Sequence, residues 1–223
     1  MIVAVCGLHG GAGTTTIAAL LARAAAAQQP GRVLLCDSAP GAGDLALALG
    51  AASPYNLTDV ARLADDRQTP AEVPWLEQAD GLRVMARAPA RRAAARPDAV
   101  VKVLRDAAAA HSLVIVDAGA LQSEHAAAAL HAADIVLWTL DATAQLDRCA
   151  ALLGGPLATD ARHARWLLAA SATGRDADVP VAARLTELVP TAARLILIPA
   201  VGHRAAIAPE RLLAGTQLLS ALS

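Results

Sequence analysis

Phenylalanine is absent from this chain of 223 residues, tyrosine occurs once, and the only lysine is Lys102. With aromatic residues at 2%, no aromatic platform is available on which nucleic-acid bases would stack. Cysteine is also scarce. Cys6, Cys36 and Cys149 are odd in number and far apart, which excludes a disulfide framework and a zinc site of C-x-x-C type, and leaves three reduced, buried thiols as the expectation. No apolar run approaches the roughly 20 residues that cross a bilayer. The longest, 113–116 and 135–140, are strand-sized. The first seven residues lack a basic leader and run into a glycine-rich turn, so they read as a first strand and not a signal peptide, and a cytoplasmic location is expected. The net charge of -1 provides no global field to attract nucleic acid or an anionic membrane.

What the chain does have is alanine, spread through segments of helical character, alternating with short β-rich runs. Strands are expected over 2–6, 32–36, 82–85, 113–116, 135–140, 165–169 and 194–198, with helices between them. Strands apolar along their whole length are buried on both faces. Their alternation with helices predicts an α/β fold: a doubly wound, mainly parallel sheet flanked by helices, in one domain over 1–223. Ligands in such sheets sit beyond the carboxyl ends of the strands. The stretch 50–97, with Asp65-Asp66, Pro70, Pro74 and Arg91-Arg92, shows no clean periodicity and reads as a surface excursion.

The first strand is followed by Gly7-Leu8-His9-Gly10-Gly11-Ala12-Gly13-Thr14-Thr15-Thr16 and then by a good helical segment. Glycines let the backbone wrap closely, so that its N–H groups and the helix N-terminus point at phosphate oxygens. A strand, a glycine turn, three hydroxyl residues and a helix in this order form a phosphate-loop signal. Asp37 follows the second strand. Asp117 ends the run Leu113-Val114-Ile115-Val116, placed either to hold magnesium through water or to cap the next segment.

These residues resemble the MinD/ParA family of P-loop proteins, whose deviant phosphate loop reads K-G-G-x-G-K-T-[ST], and the resemblance extends over nearly the whole chain. His9 stands where that family has its signature lysine and Thr14 where it has the Walker lysine. Thr15 matches the magnesium-ligating hydroxyl. Asp37-Ser38-Ala39-Pro40 matches D-x-D-P, with Ala39 in place of the second aspartate, which positions the attacking water, and Asp117 ends a segment of Walker B form. The resemblance implies ATP or ADP with Mg2+ as cofactors and His9, Gly10, Gly11, Ala12, Gly13, Thr14, Thr15 and Thr16 as nucleotide-binding residues. It places Thr15, Asp37 and Asp117 at the metal. Ser171 and Pro199, near the ends of later strands, are assigned to the base. Without either lysine or the second aspartate, hydrolysis is expected to be weak or absent.

Within the family, Gly10-Gly11-Ala12-Gly13-Thr14-Thr15-Thr16, the missing second aspartate and Leu140-Asp141-Ala142-Thr143 most resemble the BcsQ (YhjQ) branch. That branch implies a nucleotide-sandwich homodimer that assists or localises a cellulose synthesis and secretion complex, recruited by partners to the inner face of the cell membrane. The CpaE/TadZ branch, which places pilus-assembly machines, is the alternative: it shares the loop style and a segment like Gly43-Asp44-Leu45-Ala46-Leu47-Ala48-Leu49-Gly50. A nucleotide-free pseudo-ATPase adaptor is the third reading.

Three other features are read as structural. Arg83, Arg87, Arg91, Arg92, Arg96, Lys102 and Arg105 concentrate positive charge, but such a run is more often a solvated face than a nucleic-acid or lipid contact. The C-terminal stretch 207–222 is amphipathic with only Arg211 on its polar face, which favours core packing or a partner interface over membrane binding. The histidines show no metal spacing. For His9 the resemblance implies a donor to phosphate across the dimer, and a purely conformational role is the alternative.

Overall fold

The computed structural model describes residues 1–38, 44–50, 52–65, 75–78, 80–87, 95–141, 146–159, 161, 163–172, 194–199 and 209–222. In chain order the elements are β1 (Ile2–Gly7), α1 (Thr14–Gln28), β2 (Val33–Asp37), α2 (Asp44–Leu49), α3 (Leu57–Asp65), β3 (Leu76–Glu77), β4 (Arg83–Met85), α4 (Pro97–Ala110), β5 (Leu113–Ala120), α5 (Glu124–Ala132), β6 (Ile135–Asp141), α6 (Leu146–Gly154), α7 (Pro156–Thr159), β7 (Arg165–Ala172), β8 (Arg194–Pro199) and α8 (Pro209–Leu222).

All seven expected strands form, each starting at the expected residue or one later. They make an eight-stranded sheet in the order β3-β4-β2-β5-β1-β6-β7-β8, parallel throughout except where the two-residue β3 pairs antiparallel with β4. β1 is central, between β5 and β6. The chain leaves it in one direction towards β2 and later passes from β5 to β6 across it. The strand order therefore reverses beside β1, and the crevice at its carboxyl end is where doubly wound sheets hold ligands.

Side chains alternate across the sheet as the two-residue period requires. Ile2, Ala4 and Cys6 of β1 join Val114 and Val116 of β5 and Trp138 of β6 in one core, covered by α3, α4, α5 and α6. Val3 and Val5 join Ile115 and Leu137 in a second core, covered by α1, α2 and α8. Cys6, Cys36 and Cys149 are buried and in no disulfide, as expected, and burial pushes the Cys6 and Cys36 thiols far above the usual thiol range.

The stretch 50–97 is more regular than the sequence suggests. This stretch contains α3, whose Leu57, Val60 and Ala61 are fully buried, and it adds the antiparallel edge strand β3. The helix starts with a reciprocal cap: the Asp59 N–H donates to Asn56 Oδ1 at 2.9 Å and the Asn56 N–H donates to Asp59 Oδ2 at 3.2 Å. The remaining acidic, proline and arginine residues cited for irregularity, Asp66, Pro70, Pro74, Arg91 and Arg92, lie outside the described residues, as does the side chain of Asp65.

The C-terminal helix packs into the core. Ala214, Leu218, Ala221 and Leu222 are buried, and at Gly215 a Cβ would come within 2.7 Å of the Leu20 carbonyl and 3.0 Å of Ala24 Cβ. At the far end of α8, the Arg165 guanidinium donates to the Ala221 carbonyl at 3.1 Å and also to the Leu222 carbonyl, satisfying terminal groups the helix itself leaves open. Among the described residues no helix is long and apolar enough to cross a membrane.

Below the sheet, His111 follows α4. Its Nδ1 donates to the Ala107 carbonyl at 2.9 Å, its Nε2 faces Arg83 Nη1 at 3.4 Å, and Trp75 meets its ring edge-on at 5.3 Å. Burial, followed by the Arg83 and Arg32 charges, lowers its pKa against the opposing pull of the Ala107 carbonyl.

Two outcomes follow for stability. Gly215→Ala should cost about 1–3 kcal/mol by forcing α8 away from α1. Gly154→Ala, where a Cβ meets nothing within 4 Å, should change stability by no more than about 1 kcal/mol in the favourable direction. Denaturant unfolding of both variants checks the pair. Because the folded-state pKa of His111 is depressed, its contribution is full above the unfolded histidine value of about 6.5 and is lost as pH falls below it. Unfolding measured from neutral pH downward should show this loss, and His111→Leu should flatten it.

Candidate phosphate-binding site

Strand β1 delivers the chain to the crevice, and three contacts fix the turn that follows. The Leu8 N–H donates to the Thr139 carbonyl of β6 at 3.0 Å, and the Gly7 carbonyl accepts from the Leu121 N–H at 2.8 Å, beyond β5. Thr14, the first residue of α1, shares a hydrogen bond with Thr139 through their hydroxyls at 3.0 Å. That hydroxyl occupies the place a side chain on Gly7 would need: a Cβ there would lie 2.5 Å from Thr14 Oγ1.

Above these anchors the loop is open. Gly11 and Gly13 take φ of +82° and +77°, and Cβ atoms built on Gly10, Gly11 or Gly13 meet nothing within 4 Å. Gly13 precedes α1 in a left-handed conformation with no side-chain cap, and the first turn holds no acidic residue. The first N–H groups of α1 have no intrahelical acceptor, so they and the positive end of the helix dipole are left for an anion.

The acidic side of the site is built by β2 and β5. Asp37, the last residue of β2, pairs in register with Asp117 of β5, and both are buried. Thr15 Oγ1 donates to Asp117 Oδ2 at 2.6 Å and the Gly119 N–H donates to Asp117 Oδ1 at 3.1 Å. Burial raises the Asp117 pKa above the usual carboxylate range, the two hydrogen bonds oppose that rise, and the charge of Asp44, the first residue of α2, adds to it. Ser38 ties β2 to β5, donating from both its N–H and its hydroxyl to the Asp117 carbonyl, and Thr58 of α3 donates to the Ser38 carbonyl at 2.8 Å.

The candidate residues thus come together at one sheet edge, with distinctions the sequence does not show. Thr15, Asp37 and Asp117 converge. Gly10, Gly11 and Gly13 form the open crest, Ala12 is buried beneath it, and Thr16 lies in the first turn of α1. The Thr14 side chain is hydrogen-bonded beneath the loop to Thr139 of β6, which leaves its backbone N–H as the group available to a ligand. Ser171 and Pro199 end β7 and β8, where Ser171 pairs with Ile198 and Ala172 with Pro199, at the same edge of the sheet. Their side chains, and the residues Ala39, Pro40, Ala142 and Thr143, lie outside the described set. His9 donates from Nδ1 to the Gly10 carbonyl at 2.9 Å, while its Nε2 is buried without a partner.

Thr139, Ser38, Thr58 and Asp44 were not among the residues assigned to the site. Thr139 left a signal, being the one hydroxyl in the otherwise apolar run Ile135-Val136-Leu137-Trp138-Thr139-Leu140. Of the five described basic residues of the stretch, four are paired with acids. Arg83 pairs with Glu77, Arg87 with Asp59, Arg96 with Asp98 and Lys102 with Asp106. Arg91 and Arg92 lie outside the described residues.

No family model matches the chain, and no curated protein matches it. Solved structures do. The septum site-determining protein MinD complexed with Mg-ADP from Pyrococcus horikoshii OT3 is 16% identical, with a TM-score of 0.74 over 100% of this chain and 95% of that one. A ParA family ATPase from Chlorobium tepidum TLS is 20% identical, with a TM-score of 0.70 over 99% and 92%. Cobyrinic acid a,c-diamide synthase from Mycobacterium smegmatis, with bound ADP and magnesium, is 18% identical, with a TM-score of 0.69 over 99% and 93%. The chain has the fold of these MinD/ParA-type ATPases along nearly its whole length.

The Thr14–Thr139 pair provides a direct test of the loop anchor. Thr14→Val leaves the Thr139 hydroxyl buried and unpaired and should cost about 1–3 kcal/mol. Thr14→Val combined with Thr139→Val removes both partners and should cost less than the sum of the single changes. A double-mutant cycle by denaturant unfolding reads the coupling.

Proposed function

We propose that the chain binds ATP or ADP with Mg2+ at the loop 9–16 and acts as a nucleotide-dependent homodimer with weak or absent hydrolysis. The observation that carries this reading is the open glycine crest over an uncapped α1, with Thr15 already hydrogen-bonded to Asp117. The donor set suits the group. Backbone N–H groups of the loop and of the first turn of α1 hold phosphate oxygens, and the oxygens of Thr15, Asp37 and Asp117 suit a hard divalent cation and its waters. Bound Mg2+ supplies the charge neutralisation that lets polyphosphate sit beside buried carboxylates. Two structural neighbours, which hold Mg-ADP and ADP with magnesium, support the assignment.

The weakness of hydrolysis follows from what the loop lacks. Phosphoryl transfer is accelerated chiefly by positioning and by cations aimed at developing charge, and one positioned arginine contributes on the order of 10³–10⁵. Here no lysine or arginine lies between His9 and Thr16, and the Thr14 hydroxyl is turned into β6. Binding depends less on such a cation, because the backbone donors and the helix dipole remain. The site favours holding a nucleotide over cleaving it.

The biological setting proposed is recruitment of a bacterial membrane-associated assembly, a cellulose synthesis and secretion complex in the first instance. It rests on the threonine loop and the absent second aspartate, Ala39, which resemble the BcsQ branch. A CpaE/TadZ-like role in placing pilus or secretion machinery is the alternative and rests on the segment 43–50.

Calorimetric titration with Mg·ATP and Mg·ADP should give saturable binding, weakened about tenfold or more by Thr15→Ala. Turnover should stay near background, and light scattering should show a dimer with Mg·ATP. No binding at millimolar nucleotide would overturn the reading in favour of a nucleotide-free adaptor. Rapid turnover would overturn the non-hydrolysing part alone.

A further inference from the structure

We infer that Ser38 is a positioning residue for the divalent cation: held by Thr58 of α3, it ties the ends of β2 and β5 together so that Asp37 and Asp117 act on one ion. The inference rests on the nucleotide-binding reading above. It adds to that reading two residues and the helix that governs them.

The constraint is one of like charges. Asp37 and Asp117 are partners in a parallel ladder, whose strands lie about 4.8 Å apart and whose paired positions point to the same face. That face is the one covered by α1, because Val33 and Leu35 of β2 and Leu113 and Ile115 of β5 alternate with the two aspartates into the core beneath that helix. Both aspartates are buried. Ionised carboxylates at that spacing repel. The repulsion acts where the ladder can give, since Asp37 is the last residue of β2.

Ser38, the next residue, closes the ladder twice over. Its N–H donates to the Asp117 carbonyl at 3.1 Å, and its hydroxyl donates to the same oxygen at 2.9 Å. The first bond is one that any residue except proline could supply. The second belongs to the serine. Ser38 is buried, so water does not compete for either bond. Ser38 is in turn held from behind the sheet. Buried Thr58 donates from its hydroxyl to the Ser38 carbonyl at 2.8 Å. Helix α3 packs through Leu57, Val60 and Ala61 into the core on the face opposite α1. Its first turn is fixed by the Asn56–Asp59 cap and by Arg87, which pairs with Asp59 at 3.3 Å.

The carboxylate pair therefore faces α1, while its spacing is set from α3 on the other side of the sheet. Mg2+ tolerates little departure from its preferred radius and octahedral geometry, so a slackened pair loses cation affinity first. The backbone donors of the phosphate loop are anchored separately, to β6 and beyond β5, and do not depend on Ser38. A partner that shifted α3 would loosen the cation without touching the crevice.

The experiment is calorimetric titration of the full chain with ADP, once in excess Mg2+ and once in EDTA, so that the ratio of the two affinities isolates the share of the cation. Mg2+ should tighten ADP binding to the parent protein. Ser38→Ala should lose most of that gain, a weakening of about tenfold in Mg2+, with its affinity in EDTA unchanged. Thr58→Val should lose part of the gain in the same sense. Circular dichroism checks folding, and Thr58→Val, which leaves Ser38 in place, carries the test if Ser38→Ala does not fold. A Mg2+ gain in Ser38→Ala equal to that of the parent overturns the inference and leaves nucleotide binding in place. So does affinity lost equally in Mg2+ and in EDTA, as general damage to the fold would give. A loss in Ser38→Ala with none in Thr58→Val overturns the part assigned to α3. A parent protein that binds ADP with no gain from Mg2+ overturns the metal assignment together with this inference, and no binding of ADP in either condition overturns the nucleotide reading as well.

Discussion

Thr139 is held twice by the loop it underlies: its carbonyl accepts from the Leu8 N–H and its hydroxyl pairs with Thr14. Both bonds are made within a fully buried strand, where an unmade partner carries a full desolvation penalty. They fix the end of β1 and the start of α1 against β6, and the Leu121 N–H fixes the Gly7 carbonyl from the side of β5. With its two ends pinned to neighbouring strands, the segment between them has little freedom except at its glycines. The placement of the α1 N-terminus, and so the direction of its free N–H groups, depends on this anchorage. So does Gly7, which must lack a side chain because Thr14 fills the space.

The electrostatic consequence lies on the other side of the loop. A Walker-type lysine would place a cation between polyphosphate and the carboxylates of β2 and β5. Here the equivalent hydroxyl has become a structural tie, and the site is left with buried Asp117 and Asp37 and the nearby Asp44. Backbone dipoles give only partial positive charge. On the reading proposed above, full positive charge arrives with a divalent ion held by Thr15 and the aspartates. A site that acquires its cation with the ligand is poorly suited to rapid turnover, which needs charge in place before each event.

Much of this was legible from the residues alone, for identifiable reasons. Strands buried on both faces leave unbroken apolar runs, so β1, β2, β5 and β6 were visible. The glycine and threonine run was visible because its signal is local. Helix α3 was obscured by the charged and proline-rich residues around it, although Asn56 and Asp59 at three-residue spacing are the sequence form of the cap that starts it. Thr139 was obscured for a different reason. Its partner lies 125 residues away, and no local pattern declares a contact of that span. The direction of the Thr14 side chain was hidden on the same ground: matching it to a phosphate-binding lysine gives its place in the loop and not where its hydroxyl is bonded.

The abundance of alanine acquires a meaning beyond helix propensity once α1 and α8 are placed together. Gly215 sits 2.7 Å, at the position of a would-be Cβ, from the Leu20 carbonyl, with Ala24 beside it. Small residues at such a crossing let two helix backbones approach closely, and dispersion contacts accumulate along the seam. Helix α1 is thereby held along its body by α8 while its first turn is held by β6. The Arg165 guanidinium, reaching from the start of β7 to the last carbonyls of α8, holds the supporting helix in turn. A helix supported in this way presents its N-terminal donors in a fixed direction before any ligand arrives. Preorganised donors lower the ordering cost of binding, and that economy matters most in a site that has given up its permanent cations.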